Sequence, residues 1–162
     1  MKFTLQFFLL ITIVTLGTWA CSNDRTEEPV PTPTTAEVWD GPEISFEKAN
    51  NADPSDAANQ DRITDNVWLT RDSEGGQIYN AKSENGSSKE SSPAGTLWAV
   101  GSLDNVDNLT FTTFRDAVDK PKNVVGKNLV LFLEADEIFL SVTFTSWSTQ
   151  KGGGFAYNRS TK

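Results

Sequence analysis

The pattern of hydrophobic and polar positions divides the chain into an apolar N-terminal segment, a short polar segment and a longer body. Residues 1–20 carry one charge, at Lys2, which is followed by a nearly uninterrupted apolar run from Phe3 to Leu16. A positive start followed by a short apolar run is typical of a secretory signal peptide. The run is too short for a transmembrane helix, which needs about 20 apolar residues. We therefore predict that residues 1–20 are a signal peptide.

The body alternates hydrophobic and polar residues over short stretches, which is the pattern of β-strands with one buried face. Its strongest signal is in the C-terminal third, where the apolar run 129–133 precedes alternating runs at 138–145 and 155–158. Three such runs joined by short connections predict an antiparallel meander. Other short elements are predicted as strands at 44–47, 67–70, 77–80, 96–100 and 109–112, and as one helical turn at 114–118.

Strands at roughly regular spacing, with almost no helical periodicity, indicate an all-β fold. After residue 20 the chain retains seven Phe, four Trp and two Tyr, which suits a small aromatic core. We predict that residues 37–162 form a single antiparallel β-sandwich, or jelly-roll-like, domain.

Composition and charge exclude several classes of function. The chain has 14 basic and 22 acidic residues, a net charge of −8, which becomes 13 − 22 = −9 without residues 1–20. Because binding the phosphate backbone needs clustered Lys and Arg, we expect no nucleic acid partner. With no His and one Cys, the chain cannot form a Ser-His-Asp or Cys-His hydrolase, a His-ligated zinc site or an internal disulfide.

The only cysteine, Cys21, stands directly after the predicted signal peptide. The segment 16–21 (LGTWAC) resembles the lipobox of bacterial lipoproteins, whose Cys becomes the acylated first residue of the mature chain. Thr18 and Trp19 depart from the residues that this family prefers. The resemblance implies a lipid anchor on Cys21, and two or more acyl chains hold a protein stably at a membrane. The alternative is an ordinary cleaved signal with Cys21 as a free thiol.

The polar segment after Cys21 has the composition of a tether. Residues 22–36 (SNDRTEEPVPTPTTA) combine acidic residues with alternating prolines and have almost nothing to bury. Such composition favours extended, disordered chain, so we predict a tether over residues 21–36. Acidic residues behind an acylated Cys resemble the surface-export signal of Bacteroidetes-type lipoproteins, which implies anchoring to the outer membrane at the cell surface. The alternative is a linker that only provides solubility.

The body also resembles a known type of domain. Five stretches carry this resemblance: 59–71, 75–80, 92–101, 126–147 and 152–161. They are similar to a recurrent exported β-domain of secreted and lipid-anchored Bacteroidetes proteins. The resemblance implies a β fold and export. It implies no activity, because that domain has no established biochemical role.

One acidic loop is a candidate calcium site. Calcium takes six to eight oxygen ligands, often from one flexible acidic loop. Within 53–65 the candidate ligands are Asp53, Asp56, Asn59, Asp61 and Asp65. The alternative is turn capping, which Asp and Asn also favour, with Asp61 paired to Arg62 or Arg71.

Two tryptophans and an arginine are candidate ligand-binding residues. Exposed aromatic side chains on a β-sandwich can stack on sugar rings. By strand alternation, Trp68 and Trp147 lie opposite the apolar residues of their strands, so a single sheet would leave them exposed. Arg71 could anchor a ligand. The alternatives are core packing for the tryptophans and an ion pair for Arg71.

These observations favour a non-catalytic binding or structural module of the cell envelope, with a glycan or another envelope protein as its partner. The alternative is a polysaccharide hydrolase that uses carboxylates alone. Its candidates, Glu134, Asp136 and Glu137, lie in a predicted hairpin turn. Glycosidases hold two carboxyl groups roughly 5–9 Å apart across a cleft, whereas a turn favours exposure to water.

Overall fold

A computed structural model describes residues 35–162; the predicted signal peptide, Cys21 and most of the predicted tether lie outside the described residues. Residues 35–162 form nine strands, one short α-helix (α1, Phe114–Val118) and three 3₁₀ segments. The strands are β1 (Glu37–Trp39), β2 (Ile44–Lys48), β3 (Asp61–Arg62), β4 (Trp68–Asp72), β5 (Gly75–Asn80), β6 (Thr96–Val100), β7 (Asn128–Leu133), β8 (Ile138–Trp147) and β9 (Phe155–Arg159). The 3₁₀ segments are Ala57–Asn59, Leu103–Asn108 and Pro121–Asn123. In this part of the chain, no helix is long and apolar enough to cross a membrane.

The strands form two sheets. The larger sheet has the order β2-β9-β8-β7-β6, with antiparallel pairing throughout this path. β1 joins the same sheet by pairing in parallel with the first residues of β8, Ile138–Leu140. β3, β4 and β5 form a smaller antiparallel sheet. The predicted meander is confirmed as β7, β8 and β9.

The main core lies between the two sheets. Leu69 and Ile78 of the smaller sheet belong to one buried cluster with Leu131, Leu140 and Phe144 of the larger sheet. The helix α1 adds Phe114 and Val118 to this cluster. Full burial of each large apolar side chain stabilises the fold by about 1.5–3 kcal/mol. The predicted all-β, sandwich-like architecture is thereby confirmed.

A second, smaller core covers the other face of the larger sheet. Val130, Phe132 and Phe139 are buried there, and the segment Leu103–Asn108 packs over them through its apolar side chains. β7 is therefore buried on both faces, which explains why its sequence is apolar at consecutive positions rather than alternating.

The prediction of a strand at 109–112 is wrong. Only Thr112 makes a bridge, with Trp98, through two backbone hydrogen bonds of 2.9 Å. Leu109 and Phe111 instead pack on the second core as part of its cover. Alternation in the sequence reflects the burial of these two side chains, which a covering loop provides without a strand ladder.

Candidate functional site

A cavity of about 360 Å³ lies between the end of β2 and the β8–β9 connection. We refer to it as the hairpin cavity. The polar residues around it include Asn50, Ser146 and Ser148. Lys48, Trp147 and Phe155 also border it, but Lys48 and Phe155 are almost fully buried. A concave site with an apolar wall and a few polar groups is the usual form of a small-ligand site.

A second cavity, of about 310 Å³, contains the acidic residues Asp40, Glu43 and Asp104. These three residues are exposed, so water solvates their carboxylates. The hairpin cavity differs because an aromatic residue that is half-buried, Trp147, lies beside polar residues there. We therefore place the candidate site in the hairpin cavity.

A β-bulge brings Trp147 to this cavity. Phe144 pairs with Tyr157 and Trp147 pairs with Phe155, so two residues of β8, Thr145 and Ser146, face the single residue between them on β9. An extra residue in one strand reverses the face to which the following side chains point. Trp147 therefore lies on the core side, with its ring centroid 5.8 Å from that of Phe144 and 6.2 Å from that of Phe155. The prediction that simple alternation leaves Trp147 on the outer face is wrong for this reason.

The guanidinium of Arg71 stacks on the indole of Trp147, with 3.9 Å between Cζ and the ring centroid. Arg71 is buried, and its Nε donates to the carbonyl of Gly76 at 2.8 Å. Its Nη1 donates to the carbonyls of Ser148 and Gly154 at 3.1 and 3.0 Å. Backbone dipoles and an aromatic face thus stabilise the buried cation.

The expectation that Arg71 forms an ion pair is wrong. No carboxylate among residues 35–162 forms a salt bridge with it. Burial lowers the pKa of Arg71 to about 10, so the side chain still carries its charge at neutral pH. The interior beside Trp147 is therefore positively charged.

Lys48 adds a second buried cation. Its side chain is 1 % exposed, and its Nζ donates to the carbonyl of Gly153 at 3.5 Å, which is at the outer limit of a hydrogen bond. Burial lowers the pKa of Lys48, and the charge of Arg71 lowers it further, against the opposing effect of Asp72 and Asp53. An ammonium group has three donors, so a single long contact leaves Lys48 poorly satisfied.

The glycines of the β8–β9 connection allow its backbone to approach these cations. A Cβ at Gly154 would lie 2.5 Å from Oδ1 of Asn50 and 3.0 Å from the carbonyl oxygen of Lys48. Gly153 has a φ of +72° and faces the backbone of the β4–β5 turn. Side chains are excluded here, so the carbonyls of Gly153 and Gly154 can accept from Lys48 and Arg71.

Away from the cavity, Asp61 and Arg159 form a buried ion pair that joins the two sheets. Nε and Nη2 of Arg159 donate to the two carboxylate oxygens of Asp61 at 2.7 and 3.0 Å. The hydroxyl of Tyr157 donates to the same carboxylate at 2.6 Å. Burial, reinforced by the charge of Asp61, raises the pKa of Tyr157. Burial opposes protonation of Arg159, but its contacts with Asp61 outweigh this effect and raise its pKa.

This pair changes the interpretation of the acidic loop. Both oxygens of Asp61 are occupied by Arg159, so the predicted pairing with Arg62 or Arg71 is wrong. Asp53 accepts from the backbone and the hydroxyl of Ser55, both at 2.8 Å, which is the turn-capping alternative. Three predicted calcium ligands remain. Asp56 directly precedes the 3₁₀ segment Ala57–Asn59, and the side chain of Asn59 donates to the carbonyl of Asp53. Asp65 is exposed. Across residues 35–162, no three Asp, Glu, Cys or His side chains are grouped to hold a metal ion.

Trp68 lies on the outer face of the smaller sheet, as strand alternation predicts. The Cζ of Arg62 lies 4.1 Å from the centroid of its ring, and the Nζ of Lys82 lies 4.7 Å from it. Its Nε1 donates to the carbonyl of Thr64 at 3.1 Å. Cations therefore already contact the ring surface that a sugar would need, and the structure does not bring Trp68 together with Trp147.

The acidic residues of the β7–β8 turn do not form a cleft. Asp136 accepts from the hydroxyl of Thr64 and the amide of Asn66, both at 2.8 Å. Glu134 and Glu137 are exposed. The turn thus ties the two sheets together through Asp136.

Sequence reasoning missed Lys48. A signal was present, because alternation along β2 places Lys48 on the same side as Phe46, which packs against the main core. A lysine at a core-facing position is unusual, because Lys is rarely fully buried. The β8–β9 connection covers Lys48, and its residue Gly153 is 105 positions away from Lys48 in the sequence.

Comparisons of the chain with protein-family models, curated proteins and solved structures find no match. The assignment of a role therefore depends on the residues of the site itself.

Proposed function

We propose that this protein is an exported lipoprotein, anchored through Cys21 to the outer membrane of a Bacteroidetes-type bacterium. We also propose that its β-sandwich is a non-catalytic binding module, with the hairpin cavity as its binding site. The observation that carries the binding role is the concave site itself, a cavity of about 360 Å³ with the exposed polar side chains of Asn50 and Ser146 among its residues.

The groups around the cavity suit the recognition of a glycan. Asn50, Ser146 and Ser148 provide amide and hydroxyl groups, and Trp147, which carries Arg71 on its ring, is only half-buried and so keeps part of its surface exposed. Sugars present both apolar C–H faces and hydroxyls, so a mixed wall of this kind matches them. These groups support a glycan, rather than another envelope protein, as the partner at this cavity.

A carbohydrate array tests this function with the fragment 22–162, which contains every residue of both cores. Ser146→Trp is expected to abolish binding because the new ring would fill the cavity. Thr145→Trp is the matched control, since Thr145 is equally exposed but does not contribute to the cavity. Loss of binding in both variants or in neither would contradict the placement, and release of sugar products would favour the hydrolase alternative.

A further inference from the structure

We infer that the protein has a second ligand site, separate from the hairpin cavity, which binds a small ligand through a primary ammonium group. The site is a cavity of about 300 Å³ between the loop 54–60 and the turn that follows β5, and we refer to it as the loop cavity. Its polar residues include Ser55, Tyr79 and Glu84, none of which borders the hairpin cavity. The inference depends on which of their polar atoms are free.

The hydroxyl of Tyr79 is open to this cavity. Thr70, which pairs with Tyr79 across the smaller sheet, donates to the carbonyl of Asn59 at 2.6 Å and so holds the loop over this face. The Tyr79 side chain is 5 % exposed, and its hydroxyl forms no hydrogen bond within residues 35–162. Three buried side-chain atoms in this part of the chain lack a partner, and the hydroxyl is not among them, so solvent reaches it. Because the ring is covered, the hydroxyl is the part of Tyr79 that faces the cavity.

Glu84 presents a free carboxylate oxygen to the same cavity. Its Oε2 accepts from the backbone N–H groups of Asn80 and Ala94 at 2.7 and 2.9 Å, which fixes the side chain. Its Oε1 has no hydrogen bond with the described residues and is not a buried orphan atom, so solvent reaches it too. Among residues 35–162, no Lys or Arg forms a salt bridge with Glu84. The carboxylate is thus held in place with one oxygen unused.

The open groups of the loop cavity are acceptors. The hydroxyl of Ser55 donates to Asp53 at 2.8 Å, which leaves its lone pairs free. With Oε1 of Glu84 and the hydroxyl of Tyr79, it provides three acceptors, and an ammonium group has three donors. Burial raises the pKa of Tyr79, and the charges of Asp72, Asp53 and Glu84 raise it further. The same negative charges favour a cationic ligand at this position.

A small organic cation matches the loop cavity better than a metal ion does. Calcium takes six to eight oxygen ligands, whereas Glu84 is the one carboxylate among the described residues that borders this cavity. A volume of about 300 Å³ is at the lower end of small-ligand sites and exceeds what a bare ion needs. Pro54 and Ala81 also border the cavity and provide apolar surface for a carbon skeleton.

Isothermal titration calorimetry of the fragment 22–162 with glucosamine and butylamine tests the inference at about pH 6, where primary amines are protonated. Glucose and butanol are the neutral counterparts, and calcium chloride reports on a metal ion. Because a hydrogen bond to a charged group is worth more than a neutral one, we expect each amine to bind about tenfold or more tighter than its counterpart. Tighter binding of glucosamine than of butylamine would support an amino sugar, and the reverse would support an alkyl amine.

Two variants locate the binding at the loop cavity. Tyr79→Phe removes a hydroxyl that has no partner in the described chain, so the fold should be kept while the affinity for amines falls about fivefold. Glu84→Gln should remove the preference for amines, and Glu90→Gln, in the exposed part of the same loop, should keep it. Thermal unfolding establishes that each variant is folded.

The inference can fail without affecting the hairpin cavity. It is overturned if the amines bind no tighter than glucose and butanol, or if calcium binds more tightly than either amine. Amine binding that is undiminished in both Tyr79→Phe and Glu84→Gln would place the ammonium elsewhere and would also overturn it. The array experiment with Ser146→Trp addresses the hairpin cavity separately, so failure of one site is distinguishable from failure of the other.

Discussion

The buried ion pair between Asp61 and Arg159 should be the most sensitive polar contact in the fold. Both residues are 6 % exposed, and they connect β3 of the smaller sheet to β9 of the larger one. Asp61→Asn keeps the shape of the side chain but leaves the Arg159 cation without its counter-charge. Breaking a buried pair in this way costs about 3–5 kcal/mol, and we expect the lower end because the amide oxygen still accepts one hydrogen bond.

Urea unfolding followed by tryptophan fluorescence measures this loss. Asp65→Asn is the matched control, because Asp65 lies four residues away on the exposed surface. Its effect on the free energy of unfolding should stay within about 0.5 kcal/mol.

A triple variant tests whether the charge itself is responsible. Asp61→Leu with Arg159→Met removes both charges, and Tyr157→Phe removes the hydroxyl that would otherwise lose its acceptor. Replacing a buried ion pair by apolar residues of similar volume is often neutral, so the triple variant should be more stable than Asp61→Asn alone. The reasoning is refuted if Asp61→Asn costs less than about 1 kcal/mol or if the triple variant is the less stable of the two.

Three further predictions concern the other sites. Lys48→Met should raise the free energy of unfolding at pH 7, because it removes a buried charge. The folded state lowers the pKa of Lys48, so the native protein loses this proton at a lower pH than the unfolded chain does. The gain in stability should therefore shrink as the pH rises through the lowered pKa toward about 10.5, where the unfolded chain also loses the proton. Urea titrations at several pH values would measure the change. Adding a chelator should leave the melting temperature unchanged, because Asp61 is held by Arg159; a stabilisation of about 2.7 kcal/mol at calcium 100-fold above its dissociation constant would instead support the calcium site. Cys21→Ser should move the protein from the membrane to the soluble fraction after cell fractionation, and continued membrane association would count against the lipid anchor.

Local patterns in the sequence predicted most of the strands. Alternation marked β2, β8 and β9, because side chains in a strand point alternately to its two faces, and the apolar run marked β7. β4, β5 and β6 were also predicted as short strands. The start of α1 was also predictable, since Thr113 caps it through a hydrogen bond from the backbone N–H of Asp116 at 3.2 Å.

The candidate site could be predicted only in part. Arg71 and Trp147 were both identified from the sequence as candidate ligand-binding residues, but their stacking at 3.9 Å was not. The bulge that turns Trp147 inward arises from pairing with β9, and nothing within β8 reveals it. Lys48 was missed because its burial depends on a backbone segment from the far end of the chain.

By itself, the sequence determined that the body is an all-β, acidic domain with an aromatic core, because strand alternation and composition are local properties. It also predicted an N-terminal signal and lipid anchor, which lie outside the described residues. Tertiary structure alone decided which charges are paired. Arg159 meets Asp61 across 98 residues. Arg71, in a chain with excess acid, donates to backbone carbonyls instead, and Lys48 has only one long contact to a carbonyl. The physical reason is that ion pairing and burial depend on distances across the two sheets, and the register of strands far apart in the chain sets those distances.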